Sequence, residues 1–399
     1  MRRLILLLHL VSLVLITGSC RDKSKAKSFE QLADNLKTHF VSDSRVDRFE
    51  IRHKSGFNGL YLEGYTTIPA AFDSLQATLA NGFVIAKNNV RLLPDAIVGT
   101  ASAGIINVSV ANLRSKPGHS QELATQALLG TPIQVLDFQE GWYLVRTPDR
   151  YIAWLEPGAF VRMTEKEMEA YLNAGISAQI LSPIELMTSA PGDGVVVSDL
   201  VSGDVAKITG GVQGEYTELE LFDGTKGWVR SSSINPNPKL GKSGSLVPDS
   251  LLVVAATLAG RPYLWGGTSP KGMDCSGFTK TTYYLNGYVI PRDASQQVHA
   301  GTEIELTPDF GNLSPGDLLF FGRFRDDGSE KITHVGFYTG NGRFLHAGAD
   351  NGRIMEQSLL PGDEDFAEHR LESLMRARRL RPGTSGVVPV GEAFARLLR

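Results

Sequence analysis

Cysteine is nearly absent: the 399 residues hold two, Cys20 and Cys275. Two cysteines cannot build a disulfide framework or a multi-cysteine zinc site. There is also no lysine- or arginine-rich tract. The 40 basic residues are offset by 43 acidic ones, for a formal charge of −3. A nucleic-acid partner is therefore not expected. The apolar run Leu4 to Ile16 is broken by His9 and Ser12 and is too short for a comfortable membrane span. What remains is globular: 42% hydrophobic and 21% charged residues, over a length that implies two to four domains. The 42 glycines suit a chain of short strands and tight turns.

The basic start Met1-Arg2-Arg3, the apolar run and the small residues Thr17-Gly18-Ser19 read as a secretory signal over residues 1–19. Small residues ending at Cys20 resemble a bacterial lipoprotein cleavage box. That resemblance implies an exported protein, acylated on Cys20 and tethered to a membrane by its N-terminus, with polar residues 21–27 as a leash. Cys275 is then the sole free thiol.

Residues 20–100 comprise the leash and a small α+β lead-in. Phe29, Leu32, Leu36 and Phe40 recur at helical spacing, Phe49/Ile51 and Leu60/Leu62 alternate like strands, and residues 69–79 read as a second helix. An internal repeat follows. Leu113-Arg-Ser-Lys-Pro-Gly118, Gly130, Trp142 and Trp154 correspond to Leu186-Met-Thr-Ser-Ala-Pro-Gly192, Gly203, Tyr216 and Trp228. Short strands and turn signals argue small β-barrels over 101–163 and 177–236, with a connecting helix over 163–172. Residues 235–245 read as a linker. The catalytic candidates fall in 245–382, and 383–399 form a tail, either a short packed helix or frayed.

Asp274 is a good N-cap for a helix over 275–286, which places Cys275 at a helix N-terminus. Backbone N–H groups there favour a thiolate and can hold an oxyanion. A nucleophile needs a base. His334 lies in the strand Ile332-Thr-His-Val-Gly-Phe-Tyr338, and His346 lies in Arg343-Phe-Leu-His-Ala347, with Gly340-Asn-Gly342 between them. A two-residue Asn-Gly loop pairs positions summing to 683 and sends the imidazoles to opposite faces. A three-residue Gly-Asn-Gly loop pairs positions summing to 682 and puts both on one face. Joint action of the two histidines requires the second register.

Five spaced motifs complete the picture: Tyr263-Leu-Trp-Gly-Gly267, Asp274-Cys-Ser-Gly-Phe278, Ser314-Pro-Gly-Asp-Leu-Leu-Phe-Phe321, His334-Val-Gly-Phe-Tyr338 and Phe344-Leu-His-Ala347. In this order they resemble the NlpC/p60 cell-wall cysteine peptidases, and the two repeats resemble the bacterial SH3 domains found beside such enzymes. The resemblance implies an α+β chain: a papain-like NlpC/p60 catalytic domain preceded by two SH3-like β-barrels and a small α+β segment. It implies Cys275 as nucleophile, His334 as base and then acid, and His346 as its orienting partner. The SH3 arrangement is similar to that of the dipeptidyl-peptidase VI branch, which cleaves γ-D-glutamyl–diamino-acid bonds in murein peptides with a free N-terminal L-Ala. On that basis Glu122 and Tyr151 close an amine pocket, Tyr263, Asp274 and Ser276 line it, and Ser295 contacts substrate. An ammonium in a closed pocket needs carboxylate and hydroxyl acceptors. Arg292 is an alternative holder of the D-Glu α-carboxylate. One departure is Arg150, where the branch more often has Gly.

The expectation is thus a monomeric, membrane-anchored hydrolase facing the periplasm or cell surface. It acts on murein peptides and peptidoglycan fragments, in cell-wall peptide turnover or recycling, with no cofactor and no metal. Three other readings compete with it: an endopeptidase on intact peptidoglycan, a non-catalytic wall-binding scaffold, and acyl transfer.

Overall fold

The computed structural model describes residues 27–174, 176–236, 238 and 248–397. The signal segment, Cys20 and most of the expected linker lie outside the described residues. The chain divides into two compact units, up to Gly99 and from Thr100 onward.

In the first unit a helix over 27–40 (α1) precedes β1 (Phe49–Gly56), β2 (Gly59–Thr66), α2 (Pro69–Gly82) and β3 (Ile85–Leu92). Pro69 opens α2, where a missing N–H costs nothing. Strands β1 and β2 form an antiparallel hairpin, and β3 runs parallel to β2. Phe29, Leu60, Leu62, Leu75, Leu79 and Val90 form the core. Strand β3, IAKNNVRL, has too weak an alternation to be legible in sequence; pairing with β2 creates it.

The second unit opens with the repeats. The first holds β4 (Ala103–Ile106), β5 (Val110–Arg114), β6 (Leu123–Leu128), β7 (Pro132–Gln139), β8 (Trp142–Arg146), β9 (Ile152–Leu155) and β10 (Phe160–Met163). Helix α3 (Glu165–Ala174) leads to the second: β11 (Ala178–Ile180), β12 (Ile184–Thr188), β13 (Val196–Val201), β14 (Val205–Gln213), β15 (Tyr216–Glu220), β16 (Lys226–Arg230) and β17 (Ile234–Pro236). The sheets run β10-β4-β7-β8-β9-β5-β6 and β17-β11-β14-β15-β16-β12-β13. Each label in the second is seven above its counterpart, so the two copies share one topology. The repeated glycines explain themselves: Gly130 and Gly203 take φ of +79° and +97°, a region costly for any other residue. Trp142 and Trp154 are buried.

Residues 248–397 start with α4 (Pro248–Thr257), the short strands β18 (Thr268–Ser269) and β19 (Gly272–Met273), and α5 (Cys275–Leu285). Next come β20 (Tyr288–Val289), α6 (Ala294–Gln297), β21 (Thr302–Ile304), β22 (Leu318–Phe324), β23 (Glu330–Gly340), β24 (Arg343–Gly348), β25 (Arg353–Ser358), α7 (Glu368–Ser373) and β26 (Leu374–Arg379). The six-stranded sheet runs β21-β26-β22-β23-β24-β25. Its alternate residues Leu318, Phe320, Val335, Phe337 and Leu345 join Phe278 and Tyr283 of α5 in one core. Leu319, Phe321, Tyr338 and Phe344 point the other way, with Ala367 and Leu371 over them. The tail is packed: β27 (Val388–Pro389) pairs with β20, and α8 (Val390–Arg396) buries Val390, Ala393 and Phe394.

Candidate active site

Asp274 caps α5 as its residue type predicts: its Oδ1 accepts the Gly277 N–H at 2.7 Å. Cys275, the first helical residue, is 8% exposed. Strands β23 and β24 pair through Gly340↔Arg343, Tyr338↔Phe344 and Phe337↔Leu345, and Phe337 is the last paired residue on the side of His334. The Val335 N–H addresses the Cys275 sulfur, as does the Ser276 N–H. The thiol therefore lies against the strand position adjoining His334. These N–H groups act in the direction the helix terminus implied, yet burial outweighs them. Burial, with the Asp274 carboxylate adding to it, pushes the thiol up to about 12. Desolvation of the anion exceeds what two N–H groups and Arg292 return.

The hairpin decides the histidine geometry. Phe337↔Leu345 and Tyr338↔Phe344 each sum to 682, the register that joint action requires. Its origin is not a three-residue loop. Gly340 pairs with Arg343 across Asn341-Gly342, at φ +51° and +69°, and a bulge at Thr339 absorbs the extra residue. His334 and His346 consequently share a face, with His334 Nε2 2.9 Å from His346 Nδ1. Phe344 stacks on His346 at 4.5 Å, and Phe321 lies 5.6 Å from His334. Burial holds His334 well below its ordinary value and carries His346 down to about 4, with the Arg370 charge acting the same way on both.

The remaining predicted residues divide. Asp274, Ser276 and Arg292 form a closed network. Arg292 is buried and reaches Asp274 Oδ2 at 2.6 Å, Asp274 Oδ1 at 3.1 Å, Ser276 Oγ at 3.0 Å and Thr125 Oγ1 of the first repeat at 3.1 Å. Asp274 also accepts the Gly266 N–H. Arg292 is thus spent on protein groups, which removes it as a holder of a substrate carboxylate. Tyr263 is half-buried; burial, with Cys275 and Asp274 nearby, keeps its phenol protonated. Tyr151 is buried within electrostatic range of Arg292. Glu122 is exposed, and its Oε1 accepts from Trp265 Nε1 at 2.8 Å. Ser295 sits half-buried in α6, and Arg150 takes the φ of +69° that suits Gly.

The first repeat is fastened to this site by buried polar bonds. Gln126 and Thr268 exchange three: Gln126 N–H to Thr268 Oγ1, Thr268 N–H to Gln126 Oε1, and Thr268 Oγ1–H to Gln126 O. Lys280 of α5 pairs with buried Asp149 at 2.8 Å. Sequence reasoning missed Trp265, Gln357, Asn351 and Arg370. Trp265 is 63% exposed, a rare setting for Trp that only the fold reveals. Arg370 binds Asp350 and lies 5.9 Å over the Phe321 ring. Among the described residues no His/Cys/Asp/Glu group is arranged to hold a metal, and no helix is long and apolar enough to cross a membrane.

A buried cysteine at a helix start, against the strand residue that follows one of a bonded histidine pair, is the apparatus of thiol acyl chemistry. Comparison with known proteins agrees. Residues 260–365 match the NlpC/P60 family, and residues 113–160 match the bacterial dipeptidyl-peptidase Sh3 domain. The γ-D-glutamyl-L-lysine dipeptidyl-peptidase of Bacillus cereus is 30% identical over 253 residues, covering 57% of this chain and 68% of that protein. The chain belongs to the NlpC/P60 family, as a cysteine peptidase carrying a dipeptidyl-peptidase SH3 domain. Dipeptidyl-peptidase 6 of Lysinibacillus sphaericus is 27% identical over 270 residues, covering 64% of this chain and 91% of its own. In fold, an NlpC/P60 family protein from Bacillus cereus superposes with a TM-score of 0.59 at 24% identity, over 70% of this chain and all of that one. NlpC/P60 membership makes this chain a peptidoglycan peptide hydrolase.

Proposed function

We propose that this peptidase hydrolyses the γ-D-Glu–diamino-acid amide of murein peptides bearing a free N-terminal L-Ala, with L-Lys or meso-diaminopimelate as the diamino acid. Cys275 Sγ attacks the γ-carbonyl carbon while its proton passes to His334, which His346 orients. The C–N bond breaks, and His334 returns the proton to the departing amine. Water, deprotonated by His334, then cleaves the thioester and frees the dipeptide. Backbone N–H groups at the start of α5 and the Tyr263 hydroxyl are donors for the oxyanion. Glu122 and Tyr151 close the amine end. Tyr263 lines it, Asp274 and Ser276 brace it through Arg292, and Ser295 adds a substrate contact. A lipid on Cys20 anchors the enzyme to a membrane, facing the periplasm or cell surface. The two repeats are SH3-like barrels, the catalytic domain is papain-like, and the protein works as a monomer.

The observation carrying this reading is the fixed mounting of the first repeat. Buried bonds at Gln126–Thr268, Arg292–Thr125 and Asp149–Lys280 make it a wall of the site rather than a tethered wall-binding module. The Glu122–Trp265 bond sets a carboxylate at the rim of that wall. The test is hydrolysis of L-Ala-γ-D-Glu-L-Lys against its N-acetylated twin, with Cys275→Ala as blank. Cleavage of the free peptide alone supports the reading. Equal cleavage of both discards the amine pocket in favour of an endopeptidase on intact wall. Cleavage of neither returns the scaffold.

A further inference from the structure

On the side of His346 away from His334 stand two polar groups, Gln357 and Asn351. Gln357 lies on β25, where its partner on β24 is Phe344 and His346 pairs with Met355. Gln357 is therefore diagonal to His346 on the same face, next to the Phe344 ring stacked on that imidazole. Its Oε1 stands 2.8 Å from His346 Nε2 and accepts from Asn351 Nδ2 at 2.9 Å.

An amide oxygen only accepts. With Asn351 and His346 both aimed at Gln357 Oε1, His346 must carry its proton on Nε2. Its Nδ1 is then a lone pair, which obliges His334 to carry its own proton on Nε2, the atom 2.9 Å away. The Nδ1 of His334 is left unprotonated. A reversed amide would drive every proton one step the other way and leave His334 Nδ1 as an N–H, unable to take a proton from a thiol.

We propose that Gln357, its amide oriented by Asn351, is a positioning residue that fixes the tautomers of both histidines and so makes His334 a base. The proposal rests on the reading of Cys275 and His334 given above. It assigns to Gln357 no contact with substrate. Both imidazoles stay neutral and no proton leaves the chain at rest; the one transferred proton is the thiol's, taken by His334 Nδ1 and given to the leaving amine.

Two-bond ¹H–¹⁵N correlation spectra of the histidine rings test this on the intact protein, without a variant. Expected is an Nε2–H tautomer for both His334 and His346, assigned by His334→Gln and His346→Gln. An Nδ1–H tautomer at either would overturn the proposal while leaving Cys275 and His334 as the reacting pair. Variants then separate positioning from packing. Gln357→Met keeps bulk but offers no comparable acceptor. It is expected to lose about tenfold or more in kcat with KM for the tripeptide within about twofold, and to mix the His346 tautomers. Gln357→Glu restores the acceptor. It is expected to recover the Nε2–H tautomer and to move the acid limb of kcat to higher pH, because a carboxylate stabilises the imidazolium. Unchanged kcat and unchanged ring spectra in Gln357→Met would refute the proposal. Should that variant not fold, Asn351→Ala, which frees the amide to turn, is read in the same way. Activity surviving in Cys275→Ala would instead defeat the underlying reading, and the tautomer result would stand on its own.

Discussion

Gly336→Ala isolates the histidine geometry from the chemistry. Gly336 lies on β23 two residues after His334, where a Cβ would stand 2.9 Å from His346 Cβ, 3.0 Å from Leu345 O and 3.1 Å from Phe344 Cδ2 of β24. Carbon atoms in contact prefer about 3.5–4.0 Å, so the overlap with His346 is roughly 0.6–1 Å. The added methyl group meets a backbone carbonyl as well as the root of a side chain, and neither is a flexible end that swings aside. Its backbone φ is not the difficulty, since Gly336 is not among the positive-φ residues. The cost is overpacking, about 1–3 kcal/mol.

Relief comes from moving β24 and His346 away from β23. A shift of about 0.6 Å stretches the His334–His346 contact from 2.9 Å to roughly 3.5 Å, the edge of a hydrogen bond. Misplacement of about 1 Å in a catalytic array costs on the order of 100-fold. The expected result is a kcat lower by about tenfold to a hundredfold with KM little changed, together with a urea midpoint lowered in proportion to the overpacking. Wild-type kcat in a destabilised Gly336→Ala would refute the claim that the histidine contact is set by strand spacing. Wild-type stability would refute the clash.

The thiol's environment predicts slow alkylation. A rise from 9.0 to about 12 lowers the thiolate fraction near pH 8 about a thousandfold, so iodoacetamide should label Cys275 far more slowly than a free cysteine; labelling at an ordinary rate would refute it. The depressed values of His334 and His346 place the acid limb of kcat/KM below pH 6.5, where the unfolded chain takes up protons that the fold refuses. Stability therefore also declines as pH falls below 6.5, and a kinetic limb at neutral pH would contradict this. Arg150→Gly removes a non-glycine residue from left-handed backbone and should stabilise by roughly 1 kcal/mol in urea melts, against no change if the turn is unstrained. Arg292→Met leaves Asp274 buried without its cation and should cost about 3–5 kcal/mol, partly recovered by adding Asp274→Asn; a neutral single substitution would show the pair to be dispensable.

What the sequence made legible follows one rule: features carried by residues close in the chain were readable. Asp274 as a cap and Cys275 at the helix start are one local motif, and the structure has both. The repeat was visible from Gly130/Gly203 and the aromatic spacing, and its shared strand order follows. The face shared by His334 and His346 was argued from register alone. Its cause was not readable, because the bulge at Thr339 reflects how β23 and β24 fit their neighbours rather than the Asn341-Gly342 turn. Strand β3 failed for the same reason, its pairing with β2 replacing the hydrophobic alternation it lacks. Arg292 was misread because 18 residues separate it from Asp274 and 167 from Thr125, and sequence gives no measure of either approach. Gln357 carries no signal of its own; only a fixed histidine pair gives its amide a meaning.

Arg292 links the parts that sequence kept separate. It bonds the cap of the helix that starts at Cys275, the serine after that cysteine and a threonine of the first repeat, all while buried. A buried guanidinium is tolerated only when such partners surround it. Displacing the repeat would therefore strip Arg292 of Thr125 and open Asp274 to water, next to the thiol whose proton Asp274 helps retain. In this chain the first repeat and the cap of the helix that starts at Cys275 share one polar network. Changes to the repeat that leave the catalytic domain untouched in sequence are thus felt at Cys275. A scaffold whose barrels merely gripped the wall would need no such coupling.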